Sequence, residues 1–250
     1  MLRISLIGCG NIASIIQEHC IVADIVAVLD MDKEKSIRFA QESGAEACQD
    51  IEGLLRIPSD IVVEAAAPIA VRNMGRKVLE SGKDLMVMSV GGLAEKDFRE
   101  GLLEVARRNG KKIYIPSGAI GGLDAISSAN VGKIDSITLE TTKPPSSLGI
   151  DNKERELVFE GSPEEAIKLY PKNINVSVTL SIIAGTEKVK VRIFSDPAAR
   201  SNMHKVVIKG DIGELKFNFV NRPSPNMATS LLAGYSAVAL LNRIDSPLQF

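Results

Sequence analysis

Between Leu2 and about Ile115 the chain alternates short, wholly apolar runs with longer stretches whose apolar positions recur every three or four residues. The runs read RISLIG, DIVAVLD, DIVVEAA, DLMVMS and KKIYIP, and stretches such as KEKSIRFAQESG and EKDFREGLLEVARRNG separate them. Alternation of strand and helix at this spacing predicts a parallel sheet with helices on both faces. Strands that are apolar on both sides fit a sheet covered twice. Gly44, Gly82 and Gly110 each follow a helical stretch, where glycine closes a helix without steric cost.

After Pro116 the texture changes. A Gly-rich SGAIGGLDAI turn leads into IDSITLETT and the turn-rich KPPSSLG, which marks a domain boundary. A short helix is predicted from Ser162, with Pro163 in its first position and Glu165 completing a capping box. The runs KVKVRIFS, HKVVIKGD and GELKFNF alternate apolar and polar residues and predict antiparallel strands with one covered face. Helical periodicity returns from about Asn226 to Arg243. The expected organisation is α/β: a doubly wound parallel sheet over 1–116, completed by a C-terminal helix in 226–250, and a smaller α/β or α+β domain over 117–225.

Immediately after the first apolar run, Gly8, Gly10 and Ala13 form G-x-G-x-x-A, with Asn11 and Ile12 opening the helix that follows. The first glycine permits the tight turn, the second lets the backbone approach a pyrophosphate, and the small third residue packs helix on strand. Asp30 ends the next strand about 20 residues on, where a carboxylate takes up both hydroxyls of an adenosine ribose. Together these predict a Rossmann-type domain that binds NAD, because Asp30 repels the 2'-phosphate of NADP. Lys33 and Lys35 lie just beyond; a solvated first helical turn is the plainer account of them, and acceptance of NADP the sharper one. Ala66 and Ala67 follow the DIVVE run and Ser89 follows DLMVM, at strand ends where open α/β sheets hold ligands. Ordinary loop chemistry accounts for those small residues equally well.

Composition narrows the partners. The 250 residues include 30 basic and 31 acidic side chains without a long run of either sign, so no field draws the chain to nucleic acid or an anionic membrane. Three cysteines without CxxC spacing argue against a disulfide framework or structural zinc, and no metal is expected. They suit a reducing compartment. With no basic leader before Leu2 and no 18-residue apolar stretch, the expected location is cytoplasmic.

Three further segments carry a resemblance: SGAIGGLDA at 117–125, PKNINV at 171–176 and NMHKV at 202–206. In this order, over nearly the whole chain, the sequence resembles the L-aspartate dehydrogenase family. The resemblance implies NAD- or NADP-dependent oxidation of L-aspartate to iminoaspartate, which hydrolyses to oxaloacetate and ammonia, with the reverse amination also running. It further implies a role in supplying iminoaspartate for NAD synthesis, a homodimer, and a second domain that holds substrate and dimerises. Ala119 and Asn175 match cofactor contacts, and His204 matches the catalytic histidine.

The residues themselves place His204, one of only two histidines, on the face of its strand shared with Asn202, Val206 and Ile208. An inward histidine is more often a satisfied core residue than a catalyst, so position alone leaves both readings open. An imidazole titrating near neutrality suits both amine deprotonation and imine hydrolysis. Lys172 and Asn202 are the expected substrate contacts, Lys172 as a cation for a carboxylate, with a plain surface lysine as the other reading. His19, late in the first helix, is given no role. Two other functions compete: a sugar or inositol dehydrogenase, disfavoured because Met88-Ser89-Val90-Gly91 stands where a Lys-Pro pair is usual, and a non-catalytic NAD sensor.

Overall fold

The computed structural model describes residues 1–170, 175–224 and 229–248. The chain divides into two compact units, one comprising Met1–Pro116 with Gly234–Phe250 and the other Ser117–Ala233.

The first unit runs β1 (Leu2–Ile7), α1 (Asn11–His19), β2 (Ala23–Leu29), α2 (Lys33–Ser43), β3 (Glu46–Ala47), α3 (Ile51–Arg56), β4 (Ile61–Glu64), α4 (Pro68–Glu80), β5 (Asp84–Val87), α5 (Lys96–Arg108) and β6 (Ile113–Tyr114). Six strands form one sheet in the order β3-β2-β1-β4-β5-β6, and every adjacent pair is parallel. Chain order reverses beside β1, which opens a crevice at the carboxyl ends of β1 and β4. Ile4, Leu6, Val28, Val62, Val63 and Met86 are fully buried, which is why these runs lack polar alternation. Gly44 caps α2 in the left-handed conformation, as its position predicts.

The second unit contains α6 (Leu123–Ala129), β7 (Ile134–Lys143), α7 (Pro145–Leu148), β8 (Glu156–Gly161), α8 (Pro163–Leu169), α9 (Asn175–Ala184), β9 (Val189–Ser195), β10 (Met203–Gly210) and β11 (Gly213–Val220). Its five strands are ordered β11-β10-β7-β9-β8. Here one expectation is corrected: β9 pairs parallel with β7, and only β10, β11 and β8 pair antiparallel with their neighbours. Alternation records which face is covered and carries no information on strand direction.

Ile137, Leu139, Val191, Ile193, Val206 and Ile208 form the covered face, packed with Ile126, Ala166 and Leu180 from the helices. The other face is charged: Glu140 pairs with Arg192 at 2.8 Å and Lys205 at 3.5 Å. The capping box at Ser162 forms with both of its hydrogen bonds. The last helix, α10 (Leu231–Asp245), begins later than its periodicity suggests, and Asn226 lies outside the described residues. From Gly234 onward α10 belongs to the first unit, where Tyr235 meets His19 edge to face at 5.3 Å. Among the described residues no helix is long and apolar enough to cross a membrane.

Candidate functional site

The turn between β1 and α1 has the geometry a pyrophosphate needs. Gly8 has φ +99, and a Cβ there would lie 2.7 Å from the Ala65 carbonyl oxygen, so glycine is required by conformation and by space alike. At Gly10 the nearest atom to an added Cβ is Lys35 Nζ at 3.8 Å, so the approach to the backbone is open. Gly10 is also the N-cap of α1, with no side chain to satisfy the first-turn N–H groups, and Ala13 is fully buried beneath. This cradle fits a dinucleotide.

Asp30 directly follows β2. Its Oδ2 accepts from Cys9 N at 2.7 Å and its Oδ1 from Asp32 N at 2.9 Å, tying the glycine turn to the next strand. Lys35 Nζ stands 3.7 Å from Asp30 Oδ2, at the mouth of the cradle. Burial, and then the Asp30 charge, push the Cys9 thiol up to about 11, so it stays protonated at neutral pH.

Glu64, which sequence reading passed over, joins the two loops that it singled out. This carboxylate is 1% exposed; Oε1 accepts from Ala66 N and Ala67 N, each at 2.9 Å, and Oε2 from Ser89 N at 3.0 Å. Burial pushes its carboxyl up, and the Ser89, Ala66 and Ala67 donors pull it back. A lone carboxylate ending an otherwise apolar strand was the available signal.

In the second unit His204 faces inward with Val206 and Ile208, as alternation predicts, and is 7% exposed. It stands directly opposite Thr141, whose Oγ1 lies 3.0 Å from His204 Nδ1. Two residues further along β7, on the same face, Lys143 is 6% exposed. Burial lowers the lysine to about 8. Burial, then the Lys143 charge, lowers the imidazole to about 4, so the expected titration near neutrality is corrected: removing the ring from water disfavours its cation.

Asn202, on the His204 face, lines a polar recess with Ser147, Arg200, Asn221, Arg222 and Ser230. Asn221 is buried, donates from Nδ2 to the Ala119 carbonyl at 2.7 Å, and from its backbone N to the Asn202 carbonyl at 3.3 Å. One side chain thus links the Ala119 segment to the recess. Asn175 opens α9 and is exposed, while Lys172 lies outside the described residues. Thr141 and Lys143 were legible in principle, since they extend the buried period-two face of Ile137 and Leu139. Among the described residues no group of three or more His, Cys, Asp or Glu is placed to hold a metal ion.

Residues 124–244 match the family model described as "Aspartate dehydrogenase, C-terminal", and residues 8–116 that described as "Homoserine dehydrogenase, NAD binding domain". The chain is 45% identical over 249 aligned positions to L-aspartate dehydrogenase of Methanospirillum hungatei, covering 99% of this chain and 98% of the relative. To the enzyme of that name from Methanocaldococcus jannaschii it is 41% identical, covering 100% and 99%. The crystal structure of aspartate dehydrogenase from Thermotoga maritima superposes with a TM-score of 0.81 at 32% identity, covering 100% of this chain and 99% of that one.

Proposed function

The chain belongs to the L-aspartate dehydrogenase family, and on that premise we propose how its residues divide the oxidation of L-aspartate to iminoaspartate. It is an oxidoreductase acting on the CH–NH2 group with a pyridine nucleotide. The sugar-dehydrogenase and sensor readings fall with that membership. The nicotinamide, when bound, supplies the two-electron acceptor for the hydride leaving Cα.

Gly8 to Ala13 hold the pyrophosphate, Asp30 the adenosine ribose, and Ala66, Ala67, Ser89, Ala119 and Asn175 border the rest of the cofactor. NAD is the preferred cofactor, and Lys35 beside Asp30 supports acceptance of NADP. His204 takes the proton from the substrate ammonium, which must be lost before hydride can leave, and, once it has released that proton to solvent, deprotonates the water that attacks the imine. For Nε2 to accept a proton, Nδ1 must carry one, and Thr141 Oγ1 is placed to receive it. Asn202, Arg200 and Arg222 offer donors and positive charge to a dicarboxylate at the recess. A homodimer and a cytoplasmic location are further proposals, the latter in keeping with three free cysteines.

The observation that carries this reading is a buried histidine, neutral at pH 7 and held at Nδ1, on the same strand face as a residue lining an arginine-bearing recess. The test follows absorbance of the reduced nicotinamide with a panel of amino and hydroxy acids. Aspartate is expected to be the preferred substrate. His204→Ala is expected to cut its turnover by about a hundredfold or more with cofactor binding retained, the usual scale for a lost general base. A folded, fully active His204→Ala enzyme would remove the histidine from the mechanism.

A further inference from the structure

We propose that Lys143 is a substrate-binding residue, taking up the carboxylate nearest the reacting amine and coupling its arrival to the proton affinity of His204. The proposal rests on the aspartate reading above and goes beyond the residues named in it.

Three observations support it. First, register: Thr141 faces His204 across the β7–β10 pair, so Lys143, two positions on, is the diagonal neighbour of His204 on the covered face, about 7 Å away at the backbone and within reach of a lysine arm. The same register carries Lys143 toward Asn202, and the next residue, Pro144, lines the recess. Second, burial: Lys143 is 6% exposed at the end of a strand whose other covered positions, Ile137, Leu139 and Thr141, are apolar or neutral. Keeping an ammonium there costs stability, and such positions recur where a charge serves a ligand. Third, charge: the cation acts directly on His204 and holds its proton affinity down.

The surrounding elements sharpen the point. On the covered face beside Lys143, β9 contributes Ser195, its register partner, and β11 contributes Phe219, opposite His204. The charged residues Glu140, Arg192 and Lys205 point to the other face, and Arg200 and Arg222 line the recess. A carboxylate arriving at Lys143 therefore enters a corner already positive. Burial depresses His204 most and the Lys143 charge second; neutralising that charge removes the second effect, so the imidazole becomes a stronger base when an ammonium is there to be deprotonated. Binding and proton transfer are linked through one side chain.

Lys143→Met keeps length and apolar volume without the charge, and Lys143→Arg keeps the charge. The Met variant is expected to raise KM for aspartate about a hundredfold and to weaken succinate, a dicarboxylate that cannot react, by a similar factor in calorimetry. NAD affinity is expected to be unchanged, and the Arg variant to recover much of the loss. The acid limb of kcat/KM is expected at higher pH in the Met variant, because His204 is then relieved of the lysine's charge. Unchanged KM and succinate affinity in a folded Met variant would overturn the proposal, as would a fall in melting temperature with the kinetics intact. Wild-type protein that turns over no aspartate would instead overturn the reading on which it rests.

Discussion

Thr141 Oγ1 and His204 Nδ1 lie 3.0 Å apart on directly opposed residues of β7 and β10, so the hydroxyl occupies Nδ1 and orients the ring. The partner is neutral: it orients the ring without raising its basicity as a carboxylate would. Thr141→Val keeps the shape and removes the hydrogen bond. Its kcat with aspartate is expected to fall about tenfold, the equivalent of roughly 1.4 kcal/mol, with KM little changed. Thr141→Ser is expected to restore it, and an unimpaired Val variant would show that the hydroxyl does not orient the ring.

His204 also imposes a pH dependence on folding. Its ordinary value of 6.5 drops to about 4 in the folded chain. Between those values the unfolded chain binds a proton that the folded chain refuses, so stability falls as pH falls through this window, by about 3 kcal/mol in all. Urea titrations of wild type and His204→Gln between those pH values measure it. The slope is expected to flatten in the variant, and identical slopes would contradict the burial of the ring.

Glu64 predicts a different signature. Glu64→Gln preserves the shape but turns one oxygen into a donor facing the N–H of Ser89, or those of Ala66 and Ala67. A loss of about 1–3 kcal/mol is expected in thermal or urea unfolding. The affinity for the nicotinamide cofactor is expected to weaken while that for succinate holds. Equal stability would mean that the loops keep their positions without the carboxylate.

Cofactor choice is tested at the Asp30–Lys35 pair. Asp30→Ala removes the carboxylate proposed to accept from the ribose along with the bonds to Cys9 and Asp32, and is expected to raise the Kd for NAD about tenfold while affecting NADP less. Lys35→Ala is expected to weaken NADP more than NAD. Parallel losses for both nucleotides in both variants would show that the pair does not discriminate.

The sequence by itself determined the parts whose physics is local or periodic. The runs around Ile4, Val28, Val62 and Met86 could only be strands covered on both faces, and the glycine turn could only stand where β1 meets α1. Alternation placed His204 inward before any contact was known. Tertiary structure alone decided what depends on register and direction. Parallel pairing of β9 with β7 brings Ser195 level with Lys143, and antiparallel pairing of β10 with β7 sets Thr141 against His204; a one-residue slip in either would turn the partner to the opposite face. Burial decided the rest. A histidine that reads as a neutral-pH base in sequence becomes a ring near 4, and the glutamate ending β4 becomes the clamp of two loops, because the cost of removing charge from water depends on neighbours that lie far away along the chain.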